Sequence, residues 1–346
     1  MSLLSNNKDT RKRYFMRDSE VPIGFGSDAG IEIGYRTYYT NPSFKLGGNI
    51  NSLLCKNFST LTDISGLDKC FYNAIDYETV TNIDELVLPS KQIGLSCYWG
   101  FASYPYATAP NDLSSAGFTI DVEDIPAYGC YSLLSRNEML VNGPKFPNLK
   151  SIGDYGLADA FRGCSSLSSV ELPSTPISVG TYGCRQAFSK SGIKTVENLS
   201  LSGIGQYGCQ NMFLSCADLE KVVGLSVESL SAYALYRMFS ECSSLTSVQD
   251  LHIDNSEDTT KKTGVSRCDS MFQNCNSLLS VGGLVKGVYG QYGLRYMFRN
   301  CKSLKDASKL SVEVNYGSRY SISMFENCSD LESMPVLLSG DTGSSN

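Results

Sequence analysis

Thirteen cysteines and a single histidine are the side chains of this 346-residue chain best suited to covalent or metal chemistry. A thiol can attack a carbonyl, close a disulfide or hold a soft metal, and each use asks for its own spacing. Six of the thiols, Cys164, Cys216, Cys242, Cys275, Cys301 and Cys328, stand three residues after a phenylalanine. No Cys-x-x-Cys pair accompanies them, as a zinc site would want. The odd count disfavours complete disulfide pairing. Cys209 and Cys216 would sit about 10 Å apart on one helix face, out of disulfide reach. Core filling is therefore the first expectation for the thiols, and metal or disulfide chemistry the alternative. His252 lies beside an insertion, and no Ser or Cys shows a paired base with an orienting carboxylate. The acidic residues lack the spaced oxygen ligands of a calcium loop. The expectation is no catalytic residue, no cofactor and no metal.

The elements that place these thiols are legible in a repeat. Phe161, Phe188, Phe213, Phe239, Phe272, Phe298 and Phe325 follow one another at intervals of 27, 25, 26, 33, 26 and 27 residues. A steady period in that range marks a solenoid, in which each unit is too small to bury its own apolar edge and is stable only beside a neighbour. Apolar residues recur four before the Phe (Leu157, Cys184, Cys209, Leu235, Cys268, Leu294), at the Phe and three after it. That i, i+4, i+7 spacing predicts about two helical turns. Positions such as Leu245, Val248 and Leu251, with small polar residues between them, predict a short half-buried strand. Each unit should thus be a helical turn plus a strand, with strand stacked on strand. Because Cys and Leu alternate four before the Phe, that site fills space. The site three after it, which takes Ser191 once, wants a small side chain able to make a weak hydrogen bond.

A net charge of −6 argues against nucleic acid as a partner, since phosphate recognition needs a basic surface. The one basic cluster, Lys8, Arg11, Lys12, Arg13 and Arg17, reads as a solvated terminus or a dock for an acidic partner. No apolar run reaches the roughly 20 residues of a membrane span, so membrane insertion is not expected. The first residues lack the apolar stretch of a secretory signal.

The string "CSSLSSVELPSTPISVGTYGCRQAFSKSG", residues 164–192, resembles the BspA-type leucine-rich repeat of bacterial surface antigens. Cys164, Leu167, Val170, Leu172, Pro173, Val179, Gly180, Ala187 and Phe188 fall on that pattern, and the later Met-Phe-x-x-Cys units look like its Met-Phe branch. The resemblance implies an α/β solenoid, a right-handed leucine-rich repeat superhelix of about ten turns with a parallel β-sheet face. Residues 61–338 would form it, degenerate over 61–148 and regular over 149–338. A small β-rich module over residues 1–60 would attach, cap or oligomerise it, and residues 339–346 would be a flexible tail. The resemblance also implies protein or glycan recognition and adhesion without catalysis.

Surface antigens are exported, whereas virion proteins reach the outside without a signal. The expectation is therefore a virion structural, fibre or decoration protein of a bacteriophage. It would be assembled in the host cytoplasm and bind host-surface protein or glycan. Residues 1–60 would join it to the virion or to sister subunits in a homo-oligomer. A cell-surface or secreted adhesin and an intracellular protein-binding scaffold are the alternatives. Two candidate contact regions stand out. Tyr98, Trp99, Phe101, Tyr104 and Tyr106 break the repeat and suit sugar or protein contact, unless they seal a poorly matched turn. The long interval between Phe239 and Phe272 holds a polar insertion with Asp254, Asn255, Glu257, Asp258, Lys261 and Lys262. It reads as a contact loop or as a tolerated surface insertion.

Overall fold

The computed structural model describes residues 92–101, 119–256, 265–288, 290–315, 321 and 323–337. It adds the strands Ile31–Tyr38, Asn41–Asn49, Asp63–Ile64, Ile75–Asn82 and Val87–Leu88. The chain divides into two units, Met1–Pro173 and Ser174–Asn346.

The second unit is a parallel β-solenoid. Ile177–Val179, Ser200–Ile204, Ser226–Leu230, Ser247–Asn255, Ser280–Val288, Asp306–Asn315 and Val336–Leu337 pair in chain order, all parallel. The side-chain period of two sends one residue in and the next out. Ile177, Leu201, Val227, Ile253, Val285 and Val312 fall in one register and are buried. Ser178, Ser202, Glu228, Asp254, Lys286 and Glu313 form the neighbouring, solvent-facing register.

The segments between the strands depart from the expected helix. Among the described residues there is no helix at all. Each segment is a chain of turns in which alternate N–H groups do different work. In the Tyr207 turn, Gln210, Met212 and Leu214 donate to the carbonyl three residues back, whereas Cys209, Asn211 and Phe213 donate to Ala234, Tyr236 and Met238 of the next turn. Every fourth residue takes a left-handed backbone: Tyr207, Asn211 and Ser215, then Tyr233, Arg237 and Glu241. Among the described residues, none of the non-glycine residues with positive φ is β-branched, as steric crowding requires. The i, i+4, i+7 apolar spacing is therefore real, but a backbone that repeats every four residues produces it.

The Phe column is the spine of this unit. Phe188, Phe213, Phe239, Phe272, Phe298 and Phe325 lie face over face with centroids 5.1, 5.1, 5.3, 5.4 and 5.3 Å apart. All but the half-buried Phe325 are buried. Each buried ring contributes on the order of 1.5–3 kcal/mol by leaving water. The long interval before Phe272 is absorbed at a strand end. Asn255 is buried there and its Oδ1 accepts the Leu230 N–H at 2.8 Å. Gly283 and Gly287 pass so close to Leu251 and Asn255 that neither has room for a Cβ.

The first unit repeats the same turn chemistry around Leu134 and Phe161, with Cys130, Ser132 and Leu134 donating to Gly156, Ala158 and Ala160. A fragment of one more turn spans Leu95–Phe101. Its strands Ile31–Tyr38 and Asn41–Asn49 pair antiparallel, and Asn41–Asn49 pairs in parallel with Ile75–Asn82. Regular turns thus run from Leu134 onward among the described residues, fewer than the ten expected.

Candidate functional site

The thiols are placed for packing. Eleven cysteines are described, none of them joined in a disulfide, and all but the half-buried Cys328 are buried. Cys216, Cys242, Cys275, Cys301 and Cys328 each donate to the carbonyl of the Phe one turn back, at 3.0–3.2 Å. Cys164 does the same to Leu134 at 3.1 Å. Burial pushes the Cys216 thiol up to about 11, against the opposing hydrogen bond with Ser191. A thiol so held is a poor nucleophile at neutral pH. His252 is half-buried on a strand, in register with Ser226 and Leu284. Among the described residues no group of three His, Cys, Asp or Glu could hold a metal ion. No described helix is long and apolar enough to cross a membrane.

The insertion brings little to the surface within the described residues. Asp254 is half-buried, 3.7 Å from Lys286 Nζ, and accepts the Ser256 N–H. Burial raises its pKa, but Ser256, Lys286 and His252 outweigh that and hold it below the ordinary value. Asn255 is a correction: its amide serves the strand end and faces no solvent. Glu257, Asp258, Lys261 and Lys262 lie outside the described residues.

The aromatic cluster divides in the same way. Tyr98 and Phe101 are fully buried and pack edge to face at 6.1 Å. They are core, and not the contacts expected of them. The reason is register: Tyr98 N–H donates to Gly129 just as Cys130 N–H donates to Gly156, so Tyr98 takes the inward place of Cys130 in this poorly matched turn. Tyr104 and Tyr106 lie outside the described residues. Trp99 alone is half-exposed, and the fold gives it partners that the cluster did not contain.

Trp99 stacks on Tyr128 at 5.3 Å and tilts against Tyr131 at 4.7 Å, while Tyr128 stacks on Tyr155 at 4.9 Å. All four rings are half-buried. The second unit carries a like strip: Tyr182 on Tyr207 at 5.0 Å, Tyr207 on Tyr233 at 4.7 Å, and Tyr236 edge-on to Tyr233 at 6.0 Å. Arg185 lies over the Tyr182 ring at 5.7 Å. Tyr155, Tyr182, Tyr207 and Tyr233 each stand six residues before a Phe of the repeat. The available signal was the recurrence itself, since residues one period apart stack into a column. In each strip the ring faces are largely spent on one another, so edges, hydroxyls and the outermost faces meet solvent. Such a surface is apolar enough to hold a partner and polar enough to orient it.

A family profile agrees with the repeat. The profile described as BspA type leucine rich repeat region matches residues 137–278 in six copies. Among solved structures, a leucine rich cell surface protein from Faecalibacterium prausnitzii A2-165 is similar at 17% identity and a TM-score of 0.33, covering 90% of each chain. A leucine-rich repeat protein from Bacteroides ovatus ATCC 8483 is similar at 17% identity and a TM-score of 0.28, covering 88% of this chain and 89% of that one. No curated protein sequence matches.

Proposed function

Because residues 137–278 are BspA-type leucine-rich repeats, we propose that this protein is a non-enzymatic recognition module that binds protein or glycan at a cell surface. The observation that carries this reading is the half-exposed aromatic strip of Trp99, Tyr128, Tyr131 and Tyr155. Large rings held rigid by stacking lose little entropy on contact, which is why Trp and Tyr dominate binding hot spots. The repeat type, named for a surface antigen, supports the cell-surface setting. No observation favours a virion appendage; detection of the chain in purified phage particles would replace the cell-surface setting.

Trp99 is the only tryptophan of the chain and sits inside the strip, so its emission reports occupancy directly. The test screens the full chain against a glycan array and an array of cell-surface ectodomains, then titrates hits while following Trp99 fluorescence. Binding that shifts Trp99 emission and weakens at least about tenfold in Tyr128→Ala is expected, a loss typical of one hot-spot ring. Binders whose affinity ignores Tyr128→Ala, Tyr155→Ala and Tyr207→Ala, or no binder on either array, would overturn the reading.

A further inference from the structure

Cys184 and Cys209 occupy the same position on adjacent turns, four residues before Phe188 and Phe213. The backbone fixes that relation: Cys184 N–H donates to Gly208 O at 2.7 Å and Phe188 N–H to Met212 O at 2.8 Å, so the two turns run in register. Both side chains are buried. The neighbouring Cys184 thiol, together with burial, holds the Cys209 thiol well above its ordinary pKa; the thiols of Cys242, Cys275 and Cys301, three after Phe239, Phe272 and Phe298, also neighbour one another but donate to a backbone carbonyl. Elsewhere in this column of the second unit Cys268 stands between the turns of Leu235 and Leu294, so Cys184 and Cys209 are the two thiols of the column that fall on adjacent turns. Turns stacked at the β spacing put their Cα atoms about 4.8 Å apart, inside the roughly 4.4–6.8 Å that a disulfide spans.

We propose that Cys184 and Cys209 are a convertible pair that closes into an inter-turn disulfide in an oxidising medium and reopens under reduction. The turns so joined are those that carry Tyr182 and Tyr207, stacked two residues before each cysteine. Closure therefore ties the rungs of the aromatic strip to one another. The reaction is thiol–disulfide exchange with a small disulfide oxidant such as oxidised glutathione. One thiolate attacks the oxidant and releases one reduced thiol. The second cysteine then displaces the other. The protein loses two electrons and two protons, and the oxidant becomes two thiols. Since both sulfurs are buried, the rate is set by local opening of the two turns.

The experiment equilibrates the full chain in glutathione buffers from reducing to oxidising, quenches with acid, alkylates under denaturing conditions and maps the peptides. A Cys184–Cys209 cross-linked peptide is expected under oxidising conditions, with both thiols alkylated after dithiothreitol. Backbone hydrogen exchange over residues 182–190 should slow in the oxidised form. Cys209→Ala should abolish the cross-link with an unchanged circular dichroism spectrum. The wild-type measurement stands by itself should that variant fold poorly. Full alkylation of both cysteines across all buffers, or glutathione adducts on either without the cross-link, would overturn the proposal.

Discussion

The thiol of Cys275 donates its hydrogen to the carbonyl oxygen of Phe239 at 3.2 Å, one turn back in the stack. The bond joins two turns through a buried carbonyl. Cys275→Ala removes the donor and leaves a small void, so a loss of about 1–3 kcal/mol in urea denaturation is expected. Cys275→Ser should lose less, because Ser191 already stands at this position of the repeat with its Oγ 3.5 Å from Cys216 Sγ.

The same thiols predict an alkaline limit to stability. Burial raises Cys164 to about 12 and Cys216 to about 11 from an ordinary 9.0. Above pH 9 the unfolded chain loses these protons while the fold keeps them, so the unfolded state binds fewer protons and stability falls as pH rises. Each such thiol removes about 1.4 kcal/mol per pH unit until its folded value is reached. Chemical denaturation at pH 8, 9 and 10 should show midpoints that decline from pH 9 upward. Cys328, half-buried, should be the first of the described thiols to react with a thiol reagent.

Gly283 and Gly203 separate two reasons for glycine. Gly283, at φ +141, would drive a Cβ into the Leu251 backbone, while Gly203, at φ +53, has nothing within 4 Å of that position. Gly203→Ala should cost about 1–2 kcal/mol, from the left-handed backbone alone. Gly283→Ala should exceed about 4 kcal/mol or abolish folding. Thermal melts of the two variants decide it.

Tyr207 lies between Tyr182 and Tyr233. Tyr207→Phe keeps both stacks and removes only the hydroxyl, so it should melt within about 1 kcal/mol of the parent. Tyr207→Ala forfeits two ring contacts of about 0.5–1.5 kcal/mol each. A ligand lost with Tyr207→Phe but at unchanged melting temperature would assign the hydroxyl to recognition.

Asp269 is buried, with Arg295 Nη2 at 2.6 Å and Ser270 Oγ at 2.7 Å. Arg295 also lies over the Tyr292 ring at 4.4 Å. Arg295→Met leaves a buried carboxylate uncompensated, so about 3 kcal/mol of destabilisation is expected, at the low end for buried pairs because 31% of the Arg295 side chain meets solvent. Asp269→Leu combined with Arg295→Met should recover part of that loss in a double-mutant cycle.

The solenoid and its Phe and Cys columns were legible because stacking repeats the same demand every period. The missing helix was not, because Leu235, Phe239 and Cys242 satisfy helical spacing and a four-residue turn repeat equally well. A discriminating signal did lie in Asn274, Asn300 and Asn327, all with positive φ: asparagine tolerates the left-handed backbone and is poor inside a helix. The aromatic strip was half legible. Trp99 was visible as an exception to the repeat, but Tyr128 and Tyr155 are rows of a regular column, and only the stacking of turns brings them to it.

The alternation of N–H partners and the four-residue rhythm of left-handed residues give the turn segments a parity. One residue added between Tyr207 and Ser215 would exchange inward for outward side chains and put the wrong amides against the next turn. The only harmless increment there is four. Strand ends obey no such rule, and there the long interval before Phe272 begins. Growth of this protein in evolution is thus channelled to the junctions, where new loops can be tried on the outside while the meter of the stack is left untouched.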